Sequence, residues 1–197
     1  DLVYASSSSV YGNNKKVPFS VSDSVDNHIS LYAATKRADE LMAYTYSYLF
    51  GINTTGLRFF TVIGPYGRPD MALMLFTSAI SRGEAIKVFY FGKMKRDFTY
   101  IDDIVEGILL ALEKTDGYQI FNLGNNKPVE LEYFITCLEK ELGKTAKKNY
   151  LEMQAGDILE TFADIEHTKE VLGWEPKISF HAGLMATLPY FKQKMQI

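Results

Sequence analysis

Two short apolar runs, Leu2-Val3-Tyr4-Ala5 and Ile52 to Leu57, flank a long amphipathic stretch that begins after Ser30 and ends at Gly51. A serine side chain accepts from the free N–H groups of a first helical turn, and glycine takes the left-handed conformation that closes the last one. The spacing therefore predicts a helix from Leu31 to Phe50, with Leu41, Tyr44, Tyr48 and Leu49 recurring at helical intervals. Strand, loop, helix and strand in that order make one crossover of a doubly wound parallel sheet, so the expected class is α/β. The run Ser6-Ser7-Ser8-Ser9 falls at the carboxyl end of the first strand, where ligands bind in open α/β sheets. Gly12 to Ser30 is polar and turn-rich, as a loop leading over a ligand would be.

Pro65, Gly67 and Pro69 interrupt regular structure and place a boundary near residue 64. Beyond it the pattern predicts a smaller α/β lobe over 65–197, with possible returns to the first domain. Its expected helices lie near Met71–Arg82, Ile101–Lys114, Pro128–Leu142, Ile165–Leu172 and Phe180–Lys194. The expected strands lie near Lys87–Phe91, Tyr118–Leu123 and Tyr150–Met153.

Within the first helix, Tyr32 and Lys36 are four residues apart and share a face. A tyrosine near its reference pKa of about 10 is protonated at neutral pH, and an adjacent ammonium favours the phenolate. Such a pair can serve as a base, and the serines can supply hydroxyls to the same reacting oxygen. The spacing also arises by chance on helices whose tyrosine and lysine only face solvent.

The order Ser6-Ser7-Ser8-Ser9-Val10-Tyr11-Gly12, then Tyr32-x-x-x-Lys36, resembles the extended short-chain dehydrogenase/reductase family of nucleotide-sugar enzymes. Three further stretches resemble its UDP-glucuronate 4-epimerase branch: Arg58 to Ala72, Lys95 to Asp103, and Gln154-Ala155-Gly156-Asp157. The resemblance implies a Rossmann-like sheet, of which residues 1–64 would be the C-terminal part. It implies NAD as a resident cofactor, a UDP-sugar as substrate, and a homodimer through the Tyr32 helix. Tyr32 would be the base, Lys36 would hold the nicotinamide ribose, Ser7 would bond the reacting oxygen, and Phe59 would pack near the nicotinamide.

For the substrate, the resemblance places Ser8 and Thr61 near the sugar and Arg96 on the diphosphate, with backbone around Val88 and Phe89 at the uracil. A guanidinium suits bidentate pairing with a sugar carboxylate, which singles out Arg68. Arg68 as a surface loop arginine and Arg96 in an ion pair with Asp97 or Asp102 are the alternatives. Gln154 stands where UDP-galactose epimerases carry a second phosphate-binding arginine, and Asp157 either accepts from a ribose hydroxyl or caps a turn. Related dehydratases and decarboxylases carry acids where this chain has Ser8 and Ser9, and a hydroxyl is no acid or base near neutral pH without help. That favours epimerisation.

Members of the family begin with a glycine-rich turn at a helix N-terminus that receives the cofactor pyrophosphate. No Gly-x-x-Gly-x-x-Gly occurs among the 14 glycines; the nearest spacing, Gly64-x-x-Gly67, continues to Asp70. The expectation is an N-terminal segment of the same polypeptide that pairs with this one, without which the fragment would be poorly stable and inactive. The alternatives are a non-catalytic nucleotide-sugar-binding fragment and an enzyme acting on another nucleotide sugar.

With 47% hydrophobic and 23% charged residues the chain has the composition of a globular protein, and a net charge of -3 argues against a nucleic-acid surface. Lys144, Lys147 and Lys148 read as a solvated loop. Cys137 falls in a helical pattern as a core or boundary residue, and His28, His167 and His181 show no ligand spacing, so no metal is expected. No apolar run approaches the roughly 20 residues that span a bilayer, and the cytoplasm is the default compartment.

Overall fold

The computed structural model describes residues 1–153 and 158–196. In chain order, β1 (Leu2–Ser7) runs into a tight 3-10 turn at Ser8–Tyr11, followed by α1 (Leu31–Phe50), β2 (Thr54–Phe59) and β3 (Thr61–Ile63). Then come α2 (Ala72–Arg82), β4 (Ala85–Phe89), β5 (Lys95–Tyr100), α3 (Ile101–Glu113) and β6 (Tyr118–Leu123). The remainder is β7 (Pro128–Glu130), α4 (Leu131–Leu142), β8 (Lys147–Leu151), β9 (Glu160–Thr161), α5 (Glu166–Leu172) and α6 (Phe180–Met195).

Strands β1, β2 and β6 form a parallel sheet in that order, with Ser7 opposite Phe59 and Phe59 opposite Leu123. The chain thus leaves this sheet after β2 and returns to it at β6. A second sheet has the order β3-β5-β7, with β9 also on β5, and β4 pairs with β8 as a separate parallel ribbon. Two apolar cores accompany these layers. One gathers Tyr11, Phe19, Leu57, Phe121 and Trp174; the other gathers Ile80, Val88, Phe98, Phe134 and Leu184. Each such side chain, once fully buried, contributes about 1.5–3 kcal/mol before conformational entropy is charged against it.

Helix α1 has the predicted limits because its end signals are local. Ser30 Oγ accepts from Ala33 N at 3.1 Å, and Gly51 closes the helix at φ 64°. Its orientation differs from what its apolar spacing suggests: Leu41, Tyr44, Tyr48 and Leu49 are exposed, and the buried positions are Ala33, Glu40 and Ala43. Small side chains bring this helix close to the sheet.

Several boundaries move for identifiable reasons. The strand expected from Ile52 begins at Thr54, because Asn53 serves the turn, its side chain bonding Asp1 and Gly117 N. The strand expected over Lys87–Phe91 is β4 and ends at Phe89, where Tyr90 and Phe91 turn to left-handed φ of 47° and 51°. Pro128–Glu130 is a strand antiparallel to β5 rather than the start of α4. The expected strand near Tyr150 begins at Lys147, so Lys147 and Lys148 do not form a loop: Lys148 is paired with Glu132 and, at 3.7 Å, Glu139. Cys137 is buried in α4. Among the described residues no helix is long and apolar enough to cross a membrane, and no group of three His, Cys, Asp or Glu could hold a metal.

Candidate active site

The carboxyl end of β1 organises the first group of candidates. Ser7 caps the 3-10 turn, its Oγ accepting from Ser9 N at 3.2 Å and from Ser9 Oγ at 2.9 Å; Ser8 opens that turn, half-buried. Lys36 reaches over from α1 and donates from Nζ to the Ala5 carbonyl at 3.0 Å and to Asp39 at 3.1 Å. One turn earlier Tyr32 stands 53% exposed at the mouth of the helix. Phe59, in register with Ser7, ends β2 and packs at the edge of the first core. A cavity of about 530 Å³ opens between β1 and α1, lined by Tyr4, Ala5, Lys36 and Asp39 among others.

Thr61 and Arg68 form the second group and line one small cavity of about 50 Å³ together with Gly64, Gly67 and Met71. Arg68 is exposed and makes a bidentate contact with Asp70, at 3.0 and 2.6 Å. Hydrogen bonding to Asp70 raises the guanidinium above its ordinary pKa, followed by the Asp70 charge and, more weakly, by the Tyr32 phenol.

Val88 and Phe89 lie on β4, Val88 fully buried and paired with Tyr150. Arg96 on β5 donates from Nη1 to the Lys95 carbonyl at 2.9 Å and the Leu159 carbonyl at 3.5 Å. Gln154 and Asp157 lie outside the described residues.

A buried polar cluster that includes Ser6, the neighbour of Ser7 in β1, escaped the sequence reading. Glu40 is 0% exposed, and its Oε1 accepts from Ser6 Oγ at 2.6 Å and Arg58 Nε at 2.8 Å. Its Oε2 accepts from Arg58 Nη2 at 2.9 Å and Arg37 Nη1 at 3.0 Å. Burial alone would push this carboxyl up, but Arg58, Ser6 and Arg37 outweigh burial and hold it below the ordinary glutamate value. Arg58 lies over the Tyr11 ring at 4.8 Å, and the Tyr11 hydroxyl donates to Asn122 at 2.7 Å. The available signal was Arg58 itself, a charge inside an otherwise strand-like run.

A second buried carboxylate, Asp97, accepts from Asn125 N at 2.6 Å, Ala163 N at 2.9 Å and Asn126 N at 3.1 Å. Burial raises its pKa to about 6, the three N–H groups offsetting only part of that rise. Gly124 makes the geometry possible, since a Cβ there would sit 2.7 Å from Asp97 Oδ2.

Comparison with known proteins matches residues 1–124 to the family described as NAD dependent epimerase/dehydratase family. The chain belongs to that family. An uncharacterised protein of Methanocaldococcus jannaschii is 56% identical over 96% of this chain and 58% of its own length. UDP-glucuronate 4-epimerase 4 of Arabidopsis thaliana is 48% identical over 93% of this chain and 46% of its own length. The crystal structure of UDP-glucuronic acid 4-epimerase from Bacillus cereus in complex with NAD superposes with a TM-score of 0.88 at 34% identity, covering 99% of this chain and 62% of that one. The epimerase/dehydratase chain thus spans roughly half to three fifths of the length of these relatives. Its parallel α/β architecture is that of the Rossmann-like epimerases it superposes on.

Proposed function

We propose that this chain is the catalytic-strand and substrate-binding part of an NAD-dependent epimerase that interconverts UDP-glucuronate and UDP-galacturonate at carbon 4. The observation that carries the reading is that Lys36, four residues after the candidate base Tyr32 on α1, reaches the end of β1 and donates to the Ala5 carbonyl two residues before Ser7, while the candidate sugar ligands Thr61 and Arg68 share one cavity. Similarity to enzymes named UDP-glucuronate 4-epimerase supports the choice of substrate.

The residues present fit one end of the cofactor. Lys36 uses two of the three N–H donors of its ammonium on Ala5 and Asp39, so one remains for ribose hydroxyls. Phe59, in register with Ser7, would pack against the nicotinamide. The phosphate-binding turn would come from polypeptide outside these 197 residues. Bound NAD supplies reversible hydride acceptance at the sugar carbon.

In this mechanism Tyr32 takes the proton from the C4 hydroxyl and later returns it, with Lys36 stabilising the phenolate. Ser7 hydrogen-bonds the same oxygen. Ser8 and Thr61 contact the ring of the 4-keto sugar as it turns over, and Arg68 exchanges Asp70 for the sugar carboxylate. Arg96 holds the diphosphate, backbone at Val88 and Phe89 meets the uracil, and Gln154 and Asp157 complete the nucleotide site. The exposed apolar residues of α1, Leu41, Tyr48 and Leu49 among them, support a homodimer through that helix. A cytoplasmic compartment belongs to the same reading.

The deciding experiment follows conversion of UDP-glucuronate by the full-length protein. Tyr32→Phe is expected to abolish interconversion while UDP binding stays within about threefold, as for a group needed only in the transition state. Retention of full activity would remove the phenolate from the mechanism.

A further inference from the structure

If the functional reading above holds, Tyr32 and Lys36 must stand over Ser7 with little tolerance, because a misplacement of about 1 Å can cost roughly 100-fold in rate. The face that α1 turns to the sheet is poorly equipped for this, since Ala33 and Ala43 have no bulk to interlock with β1. Glu40 is the exception. It lies four residues beyond Lys36 and eight beyond Tyr32, on their face of the helix, and is wholly buried.

We infer that Glu40 is the positioning residue of this site: gripped by Ser6 and Arg58, it sets the axial register of α1 against β1, and with it the placement of Tyr32 and Lys36 over Ser7. Both carboxylate oxygens are filled, each by two donors. Those donors come from β1 and β2 as well as from α1, and Ser6 and Arg58 are register partners in adjacent strands. Arg58 in turn lies over the ring of Tyr11, whose hydroxyl donates to Asn122, and the Asn122 amide donates to the Phe19 and Asp164 carbonyls. A slide of α1 by one residue, about 1.5 Å, would pull Glu40 from both strands and leave Arg58 charged and unpaired. Ser6, the residue preceding Ser7, ties this clamp directly to the end of β1.

Stability alone does not require such a pair, because well-packed apolar residues can replace a buried ion pair at little or no cost. That separates a positioning role from a merely structural one. In the full-length protein, the double variant Glu40→Met/Arg58→Met is expected to keep its unfolding midpoint and to keep KM for UDP-glucuronate within about threefold, while kcat falls about 100-fold. Backbone amides of Leu31 to Lys36 should exchange with solvent faster at the same global stability. Wild-type kcat in a stable double variant would overturn the inference, as would unchanged exchange over that turn. Should the double variant fail to fold, Ser6→Ala decides, because it leaves the ion pair intact and removes only the link to β1. A kcat lowered several-fold at unchanged KM supports the clamp, and an unchanged kcat refutes it. If the unsubstituted protein turns over no UDP-hexuronate, the functional reading fails by itself, and the exchange rates still decide whether Glu40 holds the helix.

Discussion

Glu40 and Asp97 are both fully buried carboxylates, yet their surroundings push them in opposite directions. Glu40 faces a guanidinium lying between α1 and two strands, so its charged form is favoured against burial. Asp97 is held by three backbone N–H groups, which satisfy its lone pairs without cancelling its charge, and burial wins. The first region is locked by charge, the second by amide geometry. A charge lock suits a helix that must be held against a sheet through small residues. An amide clamp suits loops such as Asn125–Asn126 and the segment at Ala163, whose backbone it ties to β5.

The largest expected effect breaks the charge lock from one side. Glu40→Ala leaves Arg58 buried without its partner, which should cost about 3–5 kcal/mol of stability by denaturant unfolding. A loss below about 1 kcal/mol would mean that water or Tyr11 replaces the carboxylate, and that the two carboxylates differ less than their geometry suggests.

The pH dependence should separate the two next. For Glu40 the folded pKa is depressed, so its contribution is present above the ordinary value of 4.5 and is lost as pH falls through the folded value. For Asp97 the folded pKa is raised from 3.8 to about 6, so its contribution is complete below 3.8 and disappears as pH rises through 6. At 1.36 kcal/mol per unit the second effect is on the order of 3 kcal/mol. Unfolding free energies of the full-length protein measured from pH 3.5 to 7 should therefore contain a decline between pH 4 and 6, and that decline should vanish in Asp97→Asn. The same decline in both proteins would assign it to other groups.

How much of this was legible beforehand follows the range of the signals. The limits of α1 were readable because Ser30 and Gly51 act within one turn of themselves. Lys36 at the end of β1 was readable because a strand end and a helix face are local patterns, and its ammonium does meet the Ala5 carbonyl there. Pro128–Glu130 could not be read as strand, since only its pairing with Lys95–Asp97 makes it one. Polar β8 likewise exists through β4. Glu40 looked like any solvated helix glutamate, and its partner Arg58 lies 18 residues away in another element. The apolar residues of α1 marked the helix correctly by their spacing, but spacing alone did not say that they face outward from this chain.

The smallest effect on stability, and the sharpest on specificity, concerns a third ion pair unlike either buried group. Arg68 and Asp70 are exposed neighbours in one loop, and such pairs add little to folding because water and salt screen them. Arg68→Met should leave the unfolding midpoint where it is. If Arg68 trades Asp70 for the sugar carboxylate, kcat/KM for UDP-glucuronate should nevertheless fall about tenfold or more, the scale of a lost hydrogen bond to a charged group. A neutral UDP-hexose tested alongside should lose little. Equal losses on both sugars would take Arg68 out of carboxylate recognition and leave it as a general part of the loop. A loss on neither would show that the Asp70 contact persists during turnover. Only the selective loss makes this exposed pair a functional counterpart of the buried one, held in reserve for substrate where Glu40 and Arg58 are held for geometry.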